Sequence, residues 1–454
     1  MNYKEKKDTF LSCIALVLML VLGILLGRGF DRVFAQPETY DELRTFSEVL
    51  STVQKNYVEE TKAKDLVYGA IRGMLNTLDS HSSFMPPEIY KEMQLDTKGE
   101  FGGLGIQIGM KENKLTVISP IEGTPADLAG IKAGDVILKV DGQSTVNMTL
   151  QDAVEKMRGL KGTKAVLTIH REGKSEPLVF TLIRDTIKIQ SVKSKMLEPG
   201  IGYIRLSQFQ EHSSKDFDKA LKKLKEEKMQ SLVLDLRNNP GGLLTSAVEI
   251  SEEFLEPGKL VVSIKGRDGR KEEYTANGSG GGADNYPIIV LVNEGSASAS
   301  EIVSGALQDW GRAVIVGAQT FGKGSVQTIL PMSDGSGLRL TTAKYYTPKG
   351  RSIQNVGIEP DIMVKPPAPK DAKGSAVNRT ILREKDLERH LKNDTVKEPE
   401  KGQENQPTLE EQEISFPDEK KEGAEDPQLQ KAIDLLKSWK IFKQLAPQLT
   451  APRS

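Results

Sequence analysis

The chain opens with Lys4, Lys6 and Lys7 and then runs apolar from Phe10 to Leu26 almost without a break. A basic flank before such a run is the layout of a secretory signal or of an inward-tethered anchor. At roughly 17 residues the run lies between a long signal core and a short membrane span. Val33-Phe34-Ala35 offers the −3 and −1 positions of a cleavage site before Gln36. Residues 1–35 therefore read as a signal peptide or a membrane anchor, and both stay open. Either one predicts export.

Beyond it the pattern changes repeatedly. Leu43, Phe46, Val49, Leu50, Val53 and Val58, then Leu66, Ile71, Met74 and Leu75, recur at helical spacing and predict a helical segment over 37–95. It is too short to hold much core alone, so packing on a second subunit is expected. Residues 96–186 break into short β-branched runs between glycine turns. Residues 187–365 alternate strands and helices, with the best strands at 201–206, 231–236, 260–264, 288–292 and 313–316. Residues 366–426 are Lys, Glu, Pro, Asn and Gln with few apolar side chains, a composition that predicts a disordered linker. Over 427–454, Leu429, Ile433, Leu436, Trp439 and Phe442 share one helix face and predict a docking or dimer helix.

Composition narrows the chemistry. The 62 basic and 63 acidic residues leave a net charge of −1, which argues against nucleic-acid binding because phosphate contacts need a surplus of Lys and Arg. The single cysteine, Cys13, falls inside the export segment, so no disulfide framework or thiolate metal cage is expected. Four histidines leave little for a zinc site, and no metal or cofactor is expected. His81 falls in the helical segment, His170 ends a strand, His212 begins a helix and His390 lies in the charged linker. None sits in a motif that clearly faces a nucleophile.

Gly102-Gly103-Leu104-Gly105-Ile106-Gln107-Ile108 sets glycines just before an apolar strand. Backbone N–H groups in such a turn can point into one concavity and receive a carboxylate, and the strand beyond can accept an added peptide strand. Gly123-Thr124-Pro125-Ala126, Gly134-Asp135, the strand 137–140 with Asp141-Gly142, a helix with Ala153, Val154 and Met157, and the strand 166–170 follow in order. The run resembles a PDZ domain of the bacterial protease-associated kind. In those, the loop matching Gly103, Leu104, Gly105 and Ile106 binds a C-terminal carboxylate.

A second constellation carries covalent chemistry. Pro287 to Val292 is an apolar strand that runs into Asn293-Glu294-Gly295-Ser296-Ala297-Ser298-Ala299-Ser300-Glu301, and a helix continues through Leu307. A serine among tiny residues at a strand-to-helix turn is open to a substrate backbone, and the helix N-terminus favours an alkoxide and an oxyanion. Helix capping would use one serine; three at alternate positions exceed that need, and the pattern leaves open which one attacks. The basic partner suggested by the sequence is Lys323, in Thr320-Phe321-Gly322-Lys323-Gly324, with Gln327 four residues on. A lysine is a base only when neutral, so it must be desolvated.

Three blocks make the resemblance wider: Asp235-Leu236-Arg237-Asn238-Asn239-Pro240-Gly241-Gly242, the serine block 295–302, and the lysine block 320–324. Together with Tyr345 to Gln354 and Gly357 to Asp361, they resemble the carboxyl-terminal processing proteases, tail-specific Ser/Lys endopeptidases of bacteria, over roughly residues 40–365. The resemblance implies an α/β core of the ClpP/crotonase-like kind over 187–365 with an inserted PDZ domain. By position it implies Ser298 as nucleophile, Lys323 as general base and Gln327 as its orienting partner. The oxyanion hole would come from the N–H of Ala299 with Gly241 or Gly242. Arg158, at the end of the PDZ helix, is a candidate sensor of PDZ movement, against the plainer reading of a solvated helix-end arginine. Implied partners are protein substrates with apolar free C-termini, an adaptor protein and a second copy of the chain. The implied place is periplasmic or otherwise extracytoplasmic, free or anchored through residues 10–26. A non-catalytic PDZ scaffold would lack Ser298 or Lys323, and both are present. A crotonase-like acyl-CoA enzyme would need neither a PDZ domain nor a Ser/Lys pair.

Overall fold

A computed structural model describes residues 37–111, 114–278, 285–365, 382–395 and 426–449. Residues 1–36, which include the segment read as a signal peptide or anchor, and most of the charged linker lie outside the described residues. The chain divides into two compact units at Met74 and Leu75. In the first, helices α1 (Pro37–Asn56) and α2 (Ala63–Asn76) fall where the apolar spacing puts them. Leu43, Phe46 and Val49 of α1 are exposed. Among the described residues no helix is long and apolar enough to cross a membrane.

The second unit starts inside the stretch read as the helical segment. Strand β1 (Ser83–Met85) and helix α3 (Pro87–Lys98) follow Leu75, and His81 lies in the bend before β1, not in a helix. Strand β2 (Glu100–Gly103) leads into the Gly-rich module. Its strands are β3 (Ile106–Lys111), β4 (Lys114–Pro120), β5 (Val136–Val140), β6 (Gln143–Ser144), β7 (Lys164–His170) and β8 (Leu178–Ile183), with helices α4 (Pro125–Leu128) and α5 (Leu150–Met157). The sheet order is β3-β4-β5-β7-β8, with β6 on β5. Alternation in β7 turns Ala165, Leu167 and Ile169 inward onto Leu115, Val117, Ile137, Ala153 and Met157. A reciprocal cap starts α5: Asp152 N–H donates to Thr149 Oγ1 at 3.1 Å and Thr149 N–H to Asp152 Oδ2 at 3.0 Å. Strand β9 (Asp185–Lys188) leaves the module by pairing with β2, so entry and exit form one two-stranded ribbon.

The α/β layer holds β10 (Val192–Glu198), β11 (Ile201–Leu206), α6 (Ser213–Glu226), β12 (Ser231–Asp235) and α7 (Leu244–Glu252). Two strands then depart from it, β13 (Leu260–Gly266) and β14 (Lys271–Thr275). Next come β15 (Ile288–Val292), α8 (Ala299–Asp309), β16 (Val314–Gly317), β17 (Ser325–Pro331), β18 (Gly337–Tyr346), β19 (Ile362–Met363) and the C-terminal helix α9 (Pro427–Leu449). The main sheet runs β10-β11-β12-β15-β16-β19, parallel except for β10. Parallel strands covered on both faces are continuously apolar, as β12 and β15 are. Leu232, Leu234, Val290 and Val292 face α6, α7 and α8, while Val233, Ile289, Leu291 and Val316 face Ala432, Ile433 and Leu436 of α9.

Two expectations need correction. Strand β13 was grouped with the α/β strands, but it pairs with β18 and β14 in a separate antiparallel sheet that also takes β1 and β17. Periodicity identifies a strand without saying which sheet receives it. The linker is not disordered throughout either. Residues 382–395 pack on the core, with Glu384 and Asn393 buried. Hydrogen bonds rather than apolar burial hold them, and a hydropathy count does not see these.

Candidate functional site

The serine loop joins β15 to α8, and its geometry separates the three serines. Ser296 Oγ donates to Leu236 O at 2.8 Å and receives Asn293 N–H at 3.0 Å. Ser300 Oγ donates to Asn239 O at 2.9 Å. Both are 0% exposed, fastening the serine loop to the loop after β12. Ser298 is 9% exposed and has φ 55° and ψ −111°, a backbone that costs a non-glycine residue about 1–3 kcal/mol. Its Oγ meets the Tyr345 hydroxyl of β18 at 2.9 Å. Burial pushes that hydroxyl up to about 12, so it stays a neutral phenol.

Gly241 and Gly242 lie opposite. A side chain on Gly241 would meet Ser298 Cβ at 2.8 Å, and one on Gly242 would meet Phe209 O at 2.1 Å. Only glycine allows the two loops to close this far. Gly241 N–H is already given to Asn239 Oδ1 at 2.9 Å. Among the described residues the N–H groups of Gly242 and Ala299 have no hydrogen-bond partner. They are open backbone donors at the serine loop and at the glycine pair facing it.

Lys323 sits half-buried in the loop between β16 and β17. Burial holds its amine below the ordinary lysine range. Glu384 pushes it back up, Arg339 pushes it down, and Glu301 and Asp79 push it up. Glu301, at the third position of α8, joins the two loops. Its Oε2 accepts Ser298 N–H at 2.7 Å and Lys323 N–H at 3.0 Å. Its Oε1 accepts Gly322 N–H at 2.7 Å and the Thr320 hydroxyl at 2.5 Å. Burial pushes this carboxyl up to about 7 against the pull of the four donors. No function was assigned to it from sequence, although Ser298-x-x-Glu301 is a recognisable capping spacing.

Ser298 and Lys323 are thus held by one carboxylate, but no hydrogen bond joins Ser298 Oγ to the Lys323 amine among the described residues. Gln327 points elsewhere: its Nε2 donates to Ser325 Oγ at 2.9 Å and to Thr341 Oγ1 at 3.4 Å.

In the PDZ module, Gly103 belongs to β2 and pairs with Asp185, so the loop proper is Leu104-Gly105. Gly105 has φ 76°, and a Cβ there would lie 2.3 Å from Thr124. Ile106 opens β3, which is the sheet's edge strand and runs beside α5. Arg158, at the end of α5, keeps its side chain 34% exposed. Its guanidinium pairs with Glu92 of α3 and stacks over the Phe101 ring at 5.1 Å.

Residues 200–364 match peptidase family S41, residues 92–170 match the PDZ domain, and residues 31–89 match the N-terminal domain of the activating protease CtpB. A carboxy-terminal-processing protease of Bartonella bacilliformis is 46% identical, covering 83% of this chain and 88% of that one. The carboxy-terminal processing protease CtpB of Bacillus subtilis is 39% identical over 69% of this chain and 66% of its own. Among solved structures, a photosystem II D1 C-terminal processing protease aligns at 32% identity with a TM-score of 0.44, over 72% of this chain and 95% of that one. The fold and the PDZ insertion define a serine-type peptidase. The chain belongs to the carboxy-terminal-processing proteases.

Proposed function

We propose that this peptidase is exported, captures the free C-terminal tail of a protein substrate in its PDZ groove, and cleaves it by a Ser298–Lys323 mechanism. The observation that carries the reading is the division of labour in the serine loop. Ser296 and Ser300 are spent on backbone carbonyls, while the strained Ser298 lies beside the unpaired N–H groups of Ala299 and Gly242.

The tail lies as an added strand along β3, with its carboxylate at Leu104-Gly105 and apolar side chains between β3 and α5. Ser298 Oγ turns from Tyr345 to the neutral Lys323 amine, which takes its proton as Oγ attacks the scissile carbonyl. Ala299 and Gly242 N–H groups stabilise the oxyanion. The lysine ammonium then protonates the leaving amine, leaving an acyl-enzyme, and neutral Lys323 next activates water to release it. Gln327 completes the group when it swings from Ser325 to the lysine amine. Arg158, clamped to α3, is placed to transmit PDZ movement to the core. The apolar segment 10–26 exports or anchors the chain. The exposed apolar face of α1 supports pairing with a second copy, and an adaptor remains a further candidate partner.

The test compares wild type with Ser298→Ala on extracytoplasmic proteins, with trimmed C-termini identified by mass spectrometry. Loss of trimming with retained tail binding is expected. Trimming by Ser298→Ala at the wild-type rate would refute the assignment.

A further inference from the structure

The segment 382–395 reaches the lysine loop from beyond the last strand of the parallel sheet. Glu384 N–H donates to Phe321 O at 3.2 Å, two residues before Lys323. The Glu384 carboxylate, fully buried, receives Gln354 Nε2 at 3.0 Å. Gln354 in turn accepts Gly324 N–H through Oε1 at 3.0 Å, one residue after Lys323. The lysine is therefore bracketed by hydrogen bonds that begin at one residue. His81 Nε2 lies 2.8 Å and 2.9 Å from the two carboxylate oxygens and braces them from the far side. His81 is itself fixed by its N–H to Asp79 Oδ1 at 2.8 Å. Asp79 also accepts the Thr341 hydroxyl, which receives Gln327. Asn393 to Gln354 O and Asn355 to Leu391 O hold the rest of the segment down.

A buried carboxylate is costly unless its oxygens are satisfied. Here His81 and Gln354 satisfy it without ion-pairing to Lys323. The charged groups acting on the lysine amine are Glu384, Arg339, Glu301 and Asp79. Glu384 is foremost among the charges, and its carboxylate is the one held by a histidine side chain.

We propose that Glu384, braced by His81, is a positioning residue for Lys323: it fixes the lysine loop through Phe321 and Gln354 and sets a buried carboxylate beside that loop. This rests on the reading of Lys323 as general base. An anion near an amine favours the ammonium form, so removing the charge while keeping the shape makes Lys323 neutral at lower pH.

The experiment measures kcat/KM of the full chain against pH, on a peptide with an apolar free C-terminus, for wild type, Glu384→Gln, Glu384→Ala and Lys323→Ala. Circular dichroism sets equal folded fractions. Glu384→Gln should keep a plateau within about threefold of wild type, with its acid limb moved down by about one pH unit. Glu384→Ala should lose about tenfold or more at every pH, because Gln354 and the segment lose their anchor. His81→Gln, which retains an N–H for the carboxylate, should recover most of what His81→Ala loses. A Glu384→Gln profile that coincides with wild type or moves upward would overturn the proposal, as would wild-type kcat/KM in Glu384→Ala. Activity surviving in Lys323→Ala is a different result and would instead refute the base assignment.

Discussion

Ser298 Oγ lies 2.9 Å from the Tyr345 hydroxyl, while Lys323, the only lysine in its motif, makes no hydrogen bond to it. On the mechanism proposed above, Ser298 Oγ is parked on a neutral phenol, and attack requires an exchange of partners. Tyr345→Phe removes the competing partner. A single hydrogen bond is worth about 0.5–1.5 kcal/mol, so kcat/KM on a short tailed peptide should rise about two- to tenfold. Steady-state kinetics check this, and a fall of about tenfold would instead give the hydroxyl a part in the chemistry.

The sign of the pH dependence follows from Lys323. Burial depresses its amine, so the neutral base appears below the ordinary lysine range, and activity should climb as pH rises through that depressed value. Lys323→Arg cannot be neutral in the working range and should be inactive throughout. Activity regained by that variant at high pH would count against the general-base role.

Glu301 should matter to stability as well as to rate. Glu301→Ala strands three backbone N–H groups and a hydroxyl in a buried place, a loss on the order of 3–5 kcal/mol. Its carboxyl is pushed up from 4.5 to about 7, so the folded state favours the protonated form. That contribution is full below the unfolded value and lost as pH rises through the folded one. Between about pH 5 and about pH 8 wild type should lose on the order of 3 kcal/mol more than Glu301→Gln does. Urea titrations at the two pH values measure the difference.

Arg237 ties the loop after β12 to the C-terminal helix. Its guanidinium pairs with the buried Asp235 at 2.6 Å and with Asp426 at 2.8 Å. Arg237→Met leaves Asp235 with the Tyr203 hydroxyl but no countercharge, and should cost about 3–5 kcal/mol. Thermal unfolding should show the loss, and catalysis should fall with it, because Asn238 to Gly242 follow directly. An unchanged midpoint would show that α9 is held by its apolar face alone.

Capture of the tail is tested separately from cutting. In the Ser298→Ala protein, a substrate peptide ending in a free carboxylate should bind about tenfold or more tightly than its C-terminal amide. Gly105→Ala, which drives a Cβ into Thr124 at a positive φ, should abolish the difference. Calorimetry giving equal affinities for carboxylate and amide would refute the PDZ reading.

What the sequence made readable was local. An apolar strand from Pro287, a run of tiny residues and a helical stripe fix the serine turn, because each rests on neighbours in the chain. The glycines at 241 and 242 announce a close approach for the same reason. The residue pattern alone leaves open which serine is free, and only the resemblance singles out Ser298, since the choice depends on Leu236 and Asn239 capturing Ser296 and Ser300. The partners Tyr345 for Ser298 and Glu384 for His81 are tertiary facts with no periodic signal. Residues 382–395 were misread because polar hydrogen bonds order them. Strand β13 was recognised as a strand, but its sheet is set by pairing with Tyr346, 83 positions on from Ser263.

The contact between His81 and Glu384 closes a separation of 303 residues. Contacts so distant in sequence are slow to form, because the entropy of closing a long loop is lost before the contact repays it. A growing polypeptide carries Ser298 and Lys323 well before it carries Glu384. On the positioning role inferred above, hydrolytic competence then arrives after the catalytic residues themselves have been made. On that role, a chain still being made lacks the finished lysine loop.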